Sequence, residues 1–170
     1  MSKTSSMKKN GMGSHQSHNM TTDEWLTPPE IVKALAPIDL DPCAPIIQPW
    51  KIADKCFTII DDGLNQPWEG FVYCNPPYGK MAAKWLEKLA NHDNGIALIF
   101  ARTETEMFFD WVWPYADSLL FIKGRLTFWK VDGTPAPYNG GAPSVMVAYG
   151  KHARARLIKS GIPGQLLNLR

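Results

Sequence analysis

The stretch "GFVYCNPPYG", residues 70–79, runs an apolar tetrapeptide into a side-chain amide, two prolines and an aromatic ring. Phe71 to Cys74 has the aromatic and β-branched content of a buried strand, and a proline pair cannot continue a ladder, so the strand ends at Asn75. Each proline fixes its own φ and bars the residue before it from the helical region, which holds Asn75 and Pro76 extended. A polar side chain on a stiff turn just past a strand sits where open α/β sheets bind ligands, in the crevice beyond the carboxyl ends of the strands.

The flanking sequence supplies the rest of such a sheet. C-terminal to the turn, "KMAAKWLEKLANHD" (80–93) spaces Met81, Trp85 and Leu89 four apart with Leu86 beside them, the stripe of an amphipathic helix. "GIALIFA" (95–101) is almost wholly apolar, as in a strand buried on both faces of a parallel sheet. "ETEMFFDWVWPYA" (104–116) reads as a helix ending near Pro114, and "SLLFIKGRLTFWK" (118–130) and "SVMVAYG" (144–150) as strands around a Gly/Pro-rich loop. "KHARARLIKSG" (151–161) reads as a basic final helix. N-terminal to the turn, "DEWLTPPEIVKAL" (23–35) places Thr27 as N-cap, Pro28 at the first helical position and Glu30 three residues after the threonine. "PIDLDPCA" (37–44) is a short strand ending in Asp41, and "KCFTII" (55–60) is a second, broken by "DDGLNQPW" (61–68). The order predicts an α/β fold with a largely parallel sheet and helices on both faces. It is contracted in its middle, because only about thirty residues separate Asp41 from Asn75, too few for two full strand–helix units.

Composition narrows the class. A chain of 170 residues, 45% hydrophobic and 20% charged, has the length and apolar content for one globular domain with a core. No apolar run is long enough to span a bilayer and the N-terminus lacks the apolar segment of a signal peptide, so the expected compartment is the cytoplasm and no membrane is expected as a partner. Cys43, Cys56 and Cys74 are odd in number and lack metal-ligand spacing, so neither a disulfide framework nor a metal site is expected. Net charge is +2, yet residues 1–20 and 151–170 contain no acid, leaving all 16 acidic residues against ten basic ones between them. The expected organisation is a disordered basic arm over 1–20, carrying His15 and His18, a catalytic domain over 21–150 and a basic helix or tail over 151–170. Phosphate contacts would have to come from a local patch or the ends.

The Asn-Pro-Pro-Tyr turn carries its own chemistry. The Asn75 side-chain carbonyl and the Pro76 backbone carbonyl can converge on one point, and two acceptors aimed at one point are a receptor for an NH₂ group. An exocyclic amine on a nucleobase is a poor nucleophile because its lone pair is delocalised into the ring. Holding both N–H hydrogens favours a pyramidal nitrogen that can attack, a stabilisation of the transition state by preorganised dipoles. Tyr78 offers a flat face for stacking, worth about 1–3 kcal/mol per base. An electrophilic methyl donor, S-adenosylmethionine, completes the reaction without a covalent intermediate. The plainer alternative is that Pro-Pro only ends a strand and Tyr78 only packs. Chance occurrence of such a tetrapeptide is on the order of a few per thousand chains of this length.

With these residues in view, the chain resembles the phage and prophage DNA N6-adenine methyltransferases, the Dam-like group of amino-group methyltransferases with an NPPY motif. "EWLTPPE", "DLDPCA", "DDGL", "VYCNPPYG", "ARTET" and "KGRLTFW" follow in order from about Asp23 to Gly150. The resemblance implies a compact Rossmann-like, S-adenosylmethionine-dependent methyltransferase fold and methyl transfer to adenine N6 in duplex DNA, with the target base flipped out. Trp25, Thr27 and Pro28 would contact the methionine end of the cofactor. Asp41, with Pro42 and Ala44, would lie near its amino group, Asp62 would accept from its adenine amine, and Gly63 would offer a backbone N–H. Asn75, Pro76, Pro77 and Tyr78 would hold the target base. Lys80, Arg102, Lys123, Arg125 and the loop "DGTPAPYNGG" (132–141) are the candidates for DNA contact, with Arg102 as a structural salt-bridge partner the alternative.

The chain departs from the pattern in lacking a Gly-rich loop after Asp41, and Asp54 is only a guess for the ribose hydroxyls. An RNA base amine, a protein glutamine, or DNA binding without catalysis are the competing functions. The Pro-Cys pair at 42–43 matches the nucleophilic motif of cytosine C5 methyltransferases, a reading that would leave NPPY unexplained. So small a domain would be helped by a homodimer or by its basic ends in gripping DNA, and the family implies a bacterial or phage-infected cell.

Overall fold

The computed structural model describes residues 24–170. The basic arm expected over 1–20, with His15 and His18, lies outside the described residues. The chain forms α1 (Pro29–Leu35), β1 (Leu40–Asp41), β2 (Lys55–Cys56), β3 (Val72–Cys74), α2 (Ala82–His92), β4 (Gly95–Phe100), β5 (Ser118–Ile122), β6 (Ser144–Tyr149), α3 (Lys151–Lys159) and β7 (Gly164–Asn168). All seven strands join one sheet in the order β2-β1-β3-β4-β6-β5-β7.

Side-chain alternation along the central strands builds two cores. Phe71 and Tyr73 of the β3 segment, Ile96 and Leu98 of β4 and Met146 and Ala148 of β6 face α1 and α3. Val72, Cys74, Ala97, Ile99, Val145 and Val147 face α2. The expected stripe of α2 is the reason it docks: Trp85, Leu86 and Leu89 are buried there, each such side chain contributing roughly 1.5–3 kcal/mol. With helices on both faces, every residue of β6 is buried, and strand direction leaves no trace in such a sequence.

That is why the expectation of a largely parallel sheet needs correction. β2, β1, β3 and β4 pair in parallel, but β6 enters between β4 and β5 and is antiparallel to both. β7 then adds antiparallel to β5. The long ladders are the antiparallel ones, so the sheet is mixed and mostly antiparallel. The middle is indeed short, with no helix between β1 and β2 or between β2 and β3.

Four local expectations also change. Thr27 does not cap α1: Pro28 holds the cap position, and the threonine hydroxyl is bonded to the buried Tyr73 hydroxyl at 2.8 Å. The helix over 104–116 is a π-helical turn at Phe108–Val112, closed by Trp113 N–H to the Phe108 carbonyl at 2.9 Å just before Pro114. The strand starting at Ser118 stops at Ile122, ahead of Gly124 with φ +81°, and residues 126–140 fold back as a separate hairpin. The basic C-terminal segment contains an edge strand, β7, as well as the helix.

Candidate active site

Parallel pairing of β2, β1, β3 and β4 brings their carboxyl ends to one side. The chain leaves β1 towards β2 and leaves β3 towards β4, in opposite directions, so the gap between β1 and β3 is a topological switch point. A cavity of about 400 Å³ opens there, within the size range of small-molecule sites. Trp25, Thr27, Asp41, Pro42, Asp62, Gly63, Asn75, Pro76, Pro77 and Tyr78 all line it. Pro28 and Ala44 do not: Pro28 starts α1, and Ala44 is buried with its N–H on the Phe57 carbonyl at 2.8 Å. Asp54 is also absent from the wall, ion-paired with Lys51 on the surface. Leu26, Ile52, Thr58 and Ile59, which no local motif marks, line the cavity too, as do Met81 and Trp85, read from their spacing only as the packing stripe of α2.

Asn75 is held from two sides. Its side-chain amide donates to the Trp25 carbonyl at 2.8 Å, and its own carbonyl accepts the Cys43 thiol at 3.2 Å. Because the Trp25 group is an acceptor, the atom facing it must be nitrogen, which turns the side-chain oxygen the other way. Among the described residues neither that oxygen nor the Pro76 carbonyl receives a hydrogen bond.

Tyr78 lies flat on Phe100, with ring centroids 4.3 Å apart and planes 3° apart, and meets Phe128 edge-on at 6.4 Å. Such packing fixes the ring plane. Burial pushes its hydroxyl pKa up, so the ring stays neutral.

Asp41 ends β1, is buried, and accepts the Cys43 N–H at 3.1 Å. Burial outweighs that bond and pushes its carboxyl up to about 7. Among the described residues it has no cationic partner; the ion pair present is Lys51–Asp54. Contact with Cys74 and burial push the neighbouring Cys43 thiol well up, which leaves it protonated and unlike an activated nucleophile. Trp25 contributes a buried indole N–H with no acceptor. Asp62 holds a left-handed backbone at φ 52° and accepts the Asn65 amide at 2.6 Å. Next to it, Gly63 packs so close that a Cβ would lie 1.9 Å from the Pro42 carbonyl oxygen, and the Gly63 carbonyl accepts the Trp68 indole at 2.8 Å.

The basic candidates stand outside the cavity. Lys80, Arg102, Lys123 and Arg125 are exposed and follow β3, β4 and β5, whereas Asp41, Asp61 and Asp62 lie on the β1–β2 side. Among the described residues Arg102 makes no salt bridge; its guanidinium lies 5.9 Å from the Phe100 ring. Arg125 donates to the Gly140 carbonyl at 3.2 Å. No group of three or more metal-ligating side chains occurs among the described residues, and no helix there is long and apolar enough to cross a membrane.

The cavity at the switch point of this mixed sheet is walled by Asn75, Pro76, Pro77 and Tyr78. The chain belongs to the DNA N-6-adenine-methyltransferase (Dam) family, whose model matches residues 14–162. Comparison with curated proteins and with solved structures gives no significant match.

Proposed function

We propose that this chain transfers a methyl group from S-adenosylmethionine to the exocyclic N6 of adenine in DNA, the amine of a base flipped into the cavity attacking the sulfonium methyl directly and the thioether leaving as S-adenosylhomocysteine. The observation that carries the reading is the Asn75 amide, whose N–H is occupied by the Trp25 carbonyl at 2.8 Å so that its oxygen is left for a donor. Together with the free Pro76 carbonyl it would accept both hydrogens of an amine and favour a nitrogen lone pair that can attack. Tyr78, backed by Phe100, would stack on the adenine ring and offset part of the few kcal/mol needed to unstack it.

The residues fit the cofactor that the family implies. Among the described residues Asp41 is a buried carboxyl without a cationic partner, suited to the ammonium of the methionine end, and the Trp25 indole N–H is an unused donor in the same wall. Thr27 and Pro42 would add contacts at that same methionine end, and Asp62 and Gly63 would serve the adenine end. When bound, S-adenosylmethionine supplies an electrophilic methyl. The proton released by the amine leaves through solvent at the open side of the cavity. Acids on the β1–β2 side and bases beyond β3, β4 and β5 divide the rim, favouring the cationic cofactor on one side and phosphates, through Lys80, Arg102, Lys123 and Arg125, on the other.

The test is transfer of tritium from labelled S-adenosylmethionine to adenine in DNA free of N6-methyladenine. Incorporation that disappears in Asn75→Ala supports the reading; label at background on every DNA tried, or preferred transfer to RNA or protein, overturns it.

A further inference from the structure

The turn over residues 61–66 carries Asp62 and Gly63 into the cavity wall, yet the strands it follows, β1 and β2, have two residues each. Side chains hold it instead. The Asp61 carbonyl accepts the Gln66 amide at 2.7 Å and the Gly63 carbonyl accepts the Trp68 indole at 2.8 Å. From α2, outside the turn, Lys88 gives its ammonium to the Leu64 carbonyl at 2.6 Å and to the Gln66 carbonyl. Two carbonyls two residues apart converge on one cation only when the chain between them is curled, so the lysine fixes the shape of the turn as well as its place. The same ammonium lies 4.9 Å from the centre of the Trp68 ring, and Trp68 stacks on Trp85 of α2 with centroids 6.1 Å apart and planes at 19°. The helix does not depend on this grip, because Trp85, Leu86 and Leu89 already bury its other face. The turn does: Asp62 is a non-glycine residue at φ 52°, a conformation that persists only where the surroundings over-determine it.

We infer that Lys88 is a positioning residue for the cofactor: by gripping the Leu64 and Gln66 carbonyls it presets Asp62 and Gly63 to meet the base of the cofactor's nucleoside. This rests on the reading of the site given above and adds to it the group that fixes its nucleoside end. One Asp62 oxygen accepts the Asn65 amide at 2.6 Å, and among the described residues the other receives no hydrogen bond, which leaves it for an amine in the cavity. Hydrogen bonds from a charged donor are stronger than neutral ones, so one ammonium on two carbonyls is a firm tether. The Asp62 carboxylate acts on that ammonium too, opposing the effect of its burial. The rest of the site is fastened elsewhere. Asp41 is held by the Cys43 N–H at 3.1 Å, and the Asn75 amide by the Trp25 carbonyl at 2.8 Å. Loss of the lysine therefore loosens the seat of the cofactor's base and leaves the methionine end and the acceptors of the target amine in place.

The experiment compares the wild-type chain, Lys88→Met and Lys88→Arg in three measurements: calorimetric affinity for S-adenosylhomocysteine, steady-state methyl transfer to sheared genomic DNA free of N6-methyladenine, and amide hydrogen exchange without cofactor. Methionine keeps an unbranched side chain over Trp68 and removes the donor. Lys88→Met is expected to weaken S-adenosylhomocysteine binding and raise the KM for S-adenosylmethionine by roughly tenfold, the scale of a lost hydrogen bond to a charged group. Its kcat and its KM for DNA should stay within about twofold, the pattern of binding lost equally from ground and transition states. Amides over residues 58–66 should exchange faster, with those of β4 and β6 unchanged. Lys88→Arg, which keeps a cation with donors for both carbonyls, should restore affinity to within about threefold of the wild-type chain. If Lys88→Met keeps the wild-type affinity, if it lowers kcat and the protection of β4 and β6 along with affinity, or if Lys88→Arg behaves as Lys88→Met does, the inference falls while the methyltransferase reading stands. If the wild-type chain neither binds S-adenosylhomocysteine nor transfers a methyl group, the function proposed above falls and the inference with it.

Discussion

The Asn75 side chain and the Trp25 backbone meet at 2.8 Å across fifty residues of chain, and that contact decides which end of the amide faces the cavity. Replacing Asn75 with alanine removes the side-chain acceptor while leaving the strand and prolines in place. Methyl transfer is expected to fall by about a hundredfold or more, the scale on which single preorganised dipoles act. Cofactor affinity should stay within about threefold, since Asp41 is untouched. Equal losses in both measurements would point to a collapsed loop instead.

Asp41 makes cofactor binding depend on pH. Only the carboxylate pairs with an ammonium, so affinity for S-adenosylmethionine should rise as pH increases and level off above about 7. In Asp41→Asn the dependence disappears and binding is weak throughout. Stability runs the other way. The folded value lies above the ordinary 3.8, so this group's contribution is fully present below about 3.8 and is lost as pH rises through about 7. Asp41→Asn is therefore expected to melt higher than the wild-type chain at pH 8, by calorimetry without cofactor, on the order of 1 kcal/mol or more.

Tyr78 contributes a ring face and not a proton. Tyr78→Phe should retain activity within about threefold, because stacking on Phe100 and on a base needs no hydroxyl. Tyr78→Ala should raise the KM for DNA by roughly tenfold or more. Phe100→Leu, which removes the support behind the ring, should fall between them. Loss of activity in Tyr78→Phe would show that the hydroxyl takes part.

The basic C-terminal helix is largely spent on the fold. Arg156 donates to the Leu35 and Pro37 carbonyls at the end of α1 and lies 3.9 Å over the Phe71 ring, and Arg154 donates to the Arg170 carbonyl. Arg156→Ala should destabilise the chain by roughly 1–3 kcal/mol in denaturant titration, as the loss of charged hydrogen bonds does, without changing the salt dependence of DNA binding. Deleting residues 151–170 would remove the edge strand β7 from the sheet and the helix α3 from its face, so loss of DNA binding in such a truncation would report unfolding.

What could be read from the sequence was whatever local chemistry writes. Proline pairs, the four-residue spacing of Met81, Trp85 and Leu89, and acids or amides following apolar runs placed Asp41 and Asn75 at strand ends, and the structure brings both to one cavity. What could not be read depends on distant partners. β6 is buried on both faces whichever way its neighbours run, so its antiparallel insertion is invisible in "SVMVAYG". β7 is mostly exposed and has no alternating pattern; backbone bonds to β5 alone define it. Thr27 carries the signature of a helix cap, and a buried tyrosine hydroxyl 46 residues away takes its oxygen instead. Trp25 and Phe100 act on the NPPY turn through a carbonyl and a ring face that no local spacing announces.

β1 and β2 have two paired residues each and β3 has three, while β4 and β6 have six. The acidic side of the cavity thus rests on the weakest masonry in the molecule. Backbone amides over residues 40–63 should exchange with solvent well before those of β4 and β6. A nucleoside seated between them would act as a keystone, slowing that exchange and tying the two halves of the protein into one cooperative body.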